Sequence, residues 1–129
     1  MSKFATENIP LIKARENVEQ LVINGVRVLD AYRNDLTGTT YISEYESMIR
    51  YIEHAANGNS LPENKMRKYG GNNDGVSEYE FKSKHLRVWA IQQPGKKIVI
   101  LGGFKNSQSA DERSFRALKK QFLESLQKK

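Results

Sequence analysis

Hydrophobic positions divide the chain into short apolar runs and longer helical stripes. Residues 18–23 (VEQLVI) form a short run rich in β-branched side chains, which predicts a strand. The dipeptide Asn24-Gly25 that follows is a strong turn signal. Beyond the turn, residues 26–36 fit either the return strand of a hairpin or a helix with one apolar face. The helix is favoured, because the polar residues 33–35 extend a helical pattern better than a strand pattern.

A second helix is predicted from about residue 41 to 57. Its apolar side chains recur at alternating spacings of three and four residues and therefore line one face: Ile42, Tyr45, Ile49, Ile52 and Ala56. The dipeptide Asn57-Gly58 ends this helix. Residues 58–76 are rich in Gly and Asn and predict a long loop with a basic middle.

Three strands are predicted in the second half. Residues 77–82 alternate, with aromatic side chains at 79 and 81 on one face and Glu78, Glu80 and Lys82 on the other. Residues 86–92 and 97–104 are largely apolar on both faces, which is typical of central strands. The short links between the three strands predict an antiparallel meander.

A final helix is predicted from about residue 110 to 126. Ser109 and Glu112 have the spacing of a capping box at its start. Its predicted buried stripe consists of Phe115, Leu118, Phe122 and Leu126. Its predicted basic face consists of Arg113, Arg116, Lys119 and Lys120.

The order of these elements predicts an α+β fold. We expect a small twisted antiparallel sheet, with the two N-terminal helices packed on one side and the C-terminal helix near the sheet edge. Residues 1–17 are weakly patterned and are interpreted as an N-terminal extension, or as a poorly formed first element, ahead of one domain at 18–129. A chain of 129 residues has the size of a single domain.

Composition excludes several classes of function. The chain has no cysteine, which excludes a disulfide scaffold, a cysteine zinc site and a cysteine nucleophile. No apolar stretch approaches the ~20 residues of a membrane helix, and the N-terminus lacks the apolar core of a signal peptide. We therefore expect a cytoplasmic protein without a membrane partner.

Positive charge is concentrated in the second half of the chain. Residues 1–60 contain 6 Lys and Arg against 8 Asp and Glu, whereas residues 61–129 contain 15 against 7. Clustered cations on a small sheet favour a polyanionic partner such as nucleic acid, because they neutralise phosphates and release counterions. The alternative is a basic surface that serves only solubility.

Residues 78–122 resemble the C-terminal half of the RelE/HigB superfamily of bacterial toxins. The features that carry the resemblance are Glu80 in the first strand, Arg87 and Trp89 in the second, the Pro94-Gly95 turn, and the segment Gly103-Phe104-Lys105 after the third. Including the two preceding helices, the resemblance covers roughly residues 18–126. It implies a RelE-like fold.

The resemblance also implies a function. These toxins of type II toxin–antitoxin systems are mostly small endoribonucleases that cleave messenger RNA, often in the ribosomal A site, and so inhibit translation. They need no metal or other cofactor. A cognate antitoxin, often with a helix-turn-helix domain, keeps them silent, and operator DNA is bound only through the antitoxin. The implied partners are thus the antitoxin, messenger RNA and the ribosome.

The resemblance assigns catalytic roles residue by residue. Arg87 matches the arginine that contacts the scissile phosphate, and Lys105 matches the basic residue that stabilises charge or protonates the leaving group. Lys82 and Lys84 stand near the family's basic pair, as positioning groups or base. Two further clusters are predicted either to contact the RNA backbone or to be solvated faces: Lys65, Arg67 and Lys68 in the loop, and Arg113, Arg116 and Lys119 in the last helix.

Alternatives remain open for both the residues and the function. Arg87 could instead pair with Glu78 or Glu80 across the hairpin, and His85 is interpreted as a turn residue rather than a catalytic group. Because the best-known relatives carry lysines where this chain has the two glutamates, a non-enzymatic ParE-like toxin that poisons DNA gyrase is one alternative function. A basic nucleic-acid-binding module is another.

Overall fold

The computed structural model describes residues 2–70 and 74–127. These residues form seven strands and three α-helices, and a short 3₁₀ turn, Lys105–Ser107, precedes the last helix. In chain order the elements are β1 Phe4–Asn8, β2 Asn17–Ile23, β3 Val26–Arg27, α1 Val28–Leu36, α2 Ile42–Ala56, β4 Met66–Tyr69, β5 Glu78–Lys82, β6 Leu86–Gln93, β7 Lys96–Phe104 and α3 Gln108–Gln127. No helix within these residues is both long and apolar enough to cross a bilayer.

All the strands belong to one mixed sheet. Its order is β1-β2-β7-β6-β5-β4, and β3 pairs with β2 alone. The predicted antiparallel meander is confirmed for β5, β6 and β7. A wholly antiparallel sheet is wrong, because β2 pairs parallel with β7. A parallel pair needs a long crossover, which the chain from α1 to β6 provides.

The helices cover both faces of the sheet. As predicted, α1 and α2 pack on one face, over a core that includes Leu29, Ile52 and Phe81. The third helix does not lie near the sheet edge but covers the opposite face, where Phe115 stacks on Trp89 with ring centroids 6.2 Å apart. The physical reason is that β6 and β7 are apolar on both sides, so each side must be covered.

Residues at the N-terminus belong to the domain rather than to an extension. Strand β1 pairs antiparallel with β2 from Phe4 opposite Ile23 to Asn8 opposite Glu19. The linker that follows buries Ile9 and Ile12 in the core beneath α1 and α2. The sequence signal is weak because β1 is an edge strand with several exposed positions.

Two local predictions change in the structure. Asn24 and Gly25 both adopt left-handed backbone angles, with φ of 50° and 84°, and they turn the chain into β3. After only two residues α1 begins, because the side-chain oxygen of Gln20 accepts hydrogen bonds from the backbone N–H groups of Leu29 and Asp30 at 2.9 and 3.1 Å. The predicted long loop at 58–76 contains β4, which pairs antiparallel with β5.

The two carboxylates of β5 lie on the face opposite Tyr79 and Phe81, as the alternation predicts, and that face is also buried. Glu78 and Glu80 are each 1% exposed, beneath α3. The Lys119 Nζ lies 2.9 Å from a Glu78 oxygen and also donates to the carbonyl of Val76 at 2.7 Å. Burying these carboxylates without cationic or hydrogen-bonding partners would cost free energy. Their contacts with Lys119 therefore fix the position of α3 on the sheet.

We predict that Lys119→Ala lowers the free energy of unfolding by about 3 kcal/mol, because it leaves the Glu78 carboxylate buried and short of a partner. Urea denaturation measures this change. Lys120→Ala removes the same charge from the exposed neighbouring position and should cost less than about 0.5 kcal/mol. Equal unfolding midpoints for the two variants would contradict the structural role of Lys119.

Candidate functional site

One end of the sheet gathers several of the residues predicted to be catalytic. The turn between β5 and β6 is closed by a hydrogen bond from the Ser83 N–H to the Leu86 carbonyl at 3.1 Å. The end of β7 joins it, since the Lys105 N–H donates to the His85 carbonyl at 2.8 Å. We call this region the turn site and define it as Tyr41, Glu44, Ser83, Lys84, His85 and Lys105.

Glu44 connects α2 to the turn through three hydrogen bonds. Its carboxylate accepts from the Ser83 hydroxyl and, at 2.5 Å, from the backbone N–H of His85. The other carboxylate oxygen lies 3.1 Å from His85 Nδ1. The side chain of Glu44 is 18% exposed and that of His85 is 47% exposed, so a shielded carboxylate holds an accessible imidazole.

The charge state of Glu44 follows from these contacts. Partial burial alone would raise the pKa of its carboxyl group, but the hydrogen bonds from Ser83 and His85 outweigh burial and lower the pKa below its usual value. Glu44 is therefore an anion at neutral pH, and an anion can only accept hydrogen bonds. It follows that His85 carries a proton on Nδ1.

The imidazole of His85 is also held from the side. The ring centroids of Tyr41 and His85 are 5.3 Å apart, and Tyr41 in turn contacts the ring of Phe104 at 5.6 Å. Within the described residues, Nε2 of His85 has no hydrogen-bond partner. A neutral histidine in this arrangement can accept a proton at Nε2 and, once charged, is stabilised by Glu44.

Arg87, which the resemblance assigns to the scissile phosphate, makes its contacts within the protein. Its side chain is 8% exposed, and one guanidinium nitrogen donates to the carbonyls of Ser83 and Leu86 at 2.6 and 2.8 Å. Its Nε lies 3.9 Å from Glu80, which favours the alternative of a cross-strand pair. Arg87 thus shapes the turn and is not presented to a phosphate.

The three lysines predicted to be catalytic come together at this end. Lys84 and Lys105 are exposed, and Lys82, opposite Arg87 in the β5–β6 pair, is half-buried. In residues 2–70 and 74–127 none of them forms an ion pair. Their charge is therefore available to an anionic ligand at the turn site.

The lysines and arginine of the predicted loop are split between the two faces of the sheet. Lys65 lies over the ring of Tyr51 at 5.2 Å, and Lys68 lies 5.7 Å from that of Tyr79. Arg67 is directed to the other face, 5.0 Å from the ring of Tyr69. They do not form one basic surface.

The predicted basic face of the last helix is also divided. Arg113 is exposed, whereas Arg116 pairs with Glu78 at 3.4 Å and Glu112 at 3.7 Å. Lys119 is buried against Glu78. Lys119 is therefore neither a solvated residue nor one exposed to RNA, whereas Arg116 keeps a partly exposed side chain that is already paired with two carboxylates.

Sequence reasoning missed Glu44 entirely and interpreted His85 as a structural turn residue. His85 did have a signal, as one of only two histidines and one placed beside lysines in a turn. Glu44 had none, because its contact with His85 spans 41 residues of sequence and its own helix shows only a polar position. Such a pair becomes visible only when the sheet and α2 are assembled.

Comparisons with known proteins give no support for the resemblance to RelE/HigB toxins. No protein-family model, no curated protein and no solved structure matches the chain. In the part of the chain that the structure describes, no three His, Asp or Glu side chains are grouped so that they could hold a metal ion. The candidate site therefore rests on its own geometry.

We predict that Glu44 contributes to stability only where it is ionised. Because its pKa is lower in the folded state than in the unfolded chain, its contribution is fully present above about pH 5 and is lost as the pH falls through the folded-state value. The difference in unfolding free energy between the natural protein and Glu44→Gln should therefore shrink from pH 7 to pH 3. Urea denaturation at several pH values measures it.

Glu46→Gln is the matched control for this prediction, because Glu46 is an exposed carboxylate on the same helix. The difference in unfolding free energy between Glu46→Gln and the natural protein should be small and nearly independent of pH. A pH-independent effect of Glu44→Gln would contradict the assignment of an ionised, hydrogen-bonded Glu44.

Proposed function

We propose that this protein is an endoribonuclease toxin similar to the RelE/HigB family, cleaving messenger RNA at the turn site without a metal. One observation carries the proposal: His85, fixed by the Glu44 carboxylate, lies at one end of the sheet beside Lys84 and Lys105, which are exposed and form no ion pair with any described residue. An oriented acid–base group beside cations is what cleavage of an RNA phosphodiester requires.

The reaction follows from the chemistry of RNA. Nε2 of His85 takes the proton of the ribose 2′-hydroxyl, and the 2′-oxygen attacks the neighbouring phosphorus. The bond from phosphorus to the 5′-oxygen breaks, and that oxygen leaves as a hydroxyl with a proton from Lys105. The products are a 2′,3′-cyclic phosphate and a 5′-hydroxyl end. Glu44 stabilises the imidazolium that forms, and Lys84 neutralises the charge on the phosphoryl oxygens.

The other predicted site residues take supporting roles in this proposal. Arg87 holds the carbonyls of Ser83 and Leu86 and so keeps the turn in the shape that presents His85. Lys82 adds positive charge beside the turn. This arrangement keeps the catalytic end of the sheet that the resemblance implies, but it transfers the acid–base role to a histidine.

The architecture supports the likeness at a coarse level. The antiparallel β5-β6-β7 meander, the two preceding helices and the helix after the last strand occur in the order that the resemblance implies. As in that family, we propose an antitoxin as inhibitor, often one with a helix-turn-helix domain that binds operator DNA. An acidic antitoxin segment would be attracted to the unpaired lysines of the turn site.

The structure weakens one rival function. The alternative of a gyrase-directed toxin depends on Glu78 and Glu80, which stand where the best-known relatives carry lysines. Both carboxylates are buried beneath α3, so they cannot present a different surface to a protein target. A basic nucleic-acid-binding module would use the same lysines but would not cleave RNA. Cleavage by the natural protein that is lost in a His85 variant therefore identifies an enzyme.

We predict that induced expression in a bacterial host arrests growth and creates new messenger RNA 5′ ends with hydroxyl groups. His85→Ala should reduce the rate at which these ends appear by a factor of about 100 or more, the usual contribution of a general acid–base group. His54→Ala is the matched control: it removes the other histidine, which is exposed on α2, and should cleave like the natural protein.

Sequencing of 5′-hydroxyl ends measures the cleavage rate of the natural protein and of both variants, expressed at equal levels. Cleavage by His85→Ala at the natural rate would contradict the acid–base assignment. Growth arrest with intact messages would contradict the ribonuclease proposal and direct attention to gyrase or another protein target. The absence of both arrest and cleavage, with folded protein and no antitoxin, would favour the binding module.

A further inference from the structure

A polar cleft lies at the end of the sheet opposite the turn site. It has a volume of about 730 Å³ and is formed by the C-terminal end of α2, the linker before β2, strands β4 and β5, and the β6–β7 turn. We call it the basic cleft and define it by six of its lining residues: Arg15, Asn57, Lys68, Tyr79, Gln92 and Lys97. Its volume lies in the range of small-molecule sites.

The charges around the basic cleft favour an anion. Three cations line it, Arg15, Lys68 and Lys97, against the single carboxylate of Glu16. That carboxylate is already occupied, since Lys97 lies 2.5 Å from it and the Gln92 amide also donates to it. Arg15 and Lys68 form no ion pair with any described residue. An excess of positive charge therefore remains for a ligand.

The end of helix α2 would ordinarily repel an anion, because its last carbonyls carry partial negative charge. Here each of those carbonyls, at residues 53 to 56, accepts a backbone hydrogen bond, from the N–H groups of Asn57, Asn59, Gly58 and Glu16 at 3.0 to 3.2 Å. The Arg15 N–H also donates to the Asn57 side chain at 3.0 Å. The wall of the cleft is thus fixed, and its carbonyls are satisfied.

The basic cleft also has an apolar part. Ala55, Ala56 and Met66 line it together with Tyr79. The Lys97 Nζ lies 4.5 Å from the centre of the Tyr79 ring and the Lys68 Nζ lies 5.7 Å from it. A ligand with both an anionic group and a flat, weakly polar group fits this combination better than a bare ion.

We infer that the basic cleft binds a nucleoside monophosphate unit, with the phosphate between Arg15 and Lys68 and the base toward Met66 and Tyr79. Lys97 is paired with Glu16 and also donates to Gln92, so the charge that is free for the phosphate is that of Arg15 and Lys68. This inference is independent of the proposed ribonuclease activity, because the two sites lie at opposite ends of the sheet. The unit can come from a free nucleotide or from one nucleotide of an RNA strand.

Isothermal titration calorimetry with the four ribonucleoside 5′-monophosphates tests the inference. We expect saturable binding of at least one of them. Arg15→Ala and Lys68→Ala should each weaken it about tenfold, the usual effect of losing a charge-assisted hydrogen bond to a phosphate. Both side chains are exposed, so the fold should survive. Lys13→Ala is the matched control, because Lys13 is an exposed cation two residues from Arg15 and outside the cleft lining.

The outcomes separate the possible ligands. A tetraribonucleotide that binds more tightly than the monophosphate, with the same sensitivity to both substitutions, assigns the cleft to RNA; weaker or equal binding assigns it to a free nucleotide. Inorganic phosphate that binds as tightly as the nucleotides would overturn the inference. So would the absence of saturable binding, or an equal loss of affinity in Lys13→Ala.

Discussion

The burial of two carboxylates on one strand is the constraint on which the rest of the structure depends. Glu78 and Glu80 point to the α3 face of the sheet and must be given donors there. Glu78 receives Lys119 and Arg116 from α3. Glu80 accepts from Gln108 at 2.5 Å and from the phenol of Tyr69 at 3.1 Å.

These contacts join elements that also pack through apolar side chains. The edge strand β4 is tied to β5 through Tyr69, whose pKa is raised by burial and by the neighbouring Glu80, so that its phenol stays protonated and can donate. Arg87 lies beside the same carboxylate from β6. One cluster of buried charge therefore fixes the positions of α3, β4 and β6 relative to β5.

This cluster also decides where the surface charge is available. On α3, Arg116 and Lys119 are used internally, whereas Lys84, Lys105, Arg15 and Lys68 are exposed near the two ends of the sheet. The positive charge of the surface is thus not a uniform patch. Part of it lies at the turn site beside the Glu44–His85 pair, and part lies at the basic cleft beside an apolar wall.

Elements with strong periodicity could be predicted from the sequence, whereas pairings across long separations could not. Helix α2 and strands β6 and β7 are confirmed within one or two residues, because a sustained apolar pattern determines them. Strand β4 was missed because a four-residue edge strand in a Gly- and Asn-rich segment has almost no pattern. Alternation in β5 correctly separated its two faces, but it could not show that a helix 30 residues later would cover the charged one.

The candidate site shows the same limit. The sequence places Lys82, Lys84 and Lys105 at one end of the sheet, and the structure does bring them to that end. It could not show that Arg87 is buried, because that burial depends on Glu80 and on the turn carbonyls. The Glu44–His85 pair depends on how α2 packs against the β5–β6 turn, and neither residue alone indicates its partner.

We propose that RNA is recognised at the turn site and not along α3. Titration of isotopically labelled protein with a short single-stranded RNA, followed by backbone amide NMR shifts, tests this proposal. We expect the largest shifts at residues 83–85 and 105 and at Tyr41 and Glu44, while residues 113–120 of α3 change little. Shifts concentrated along α3, with the turn unchanged, would contradict it.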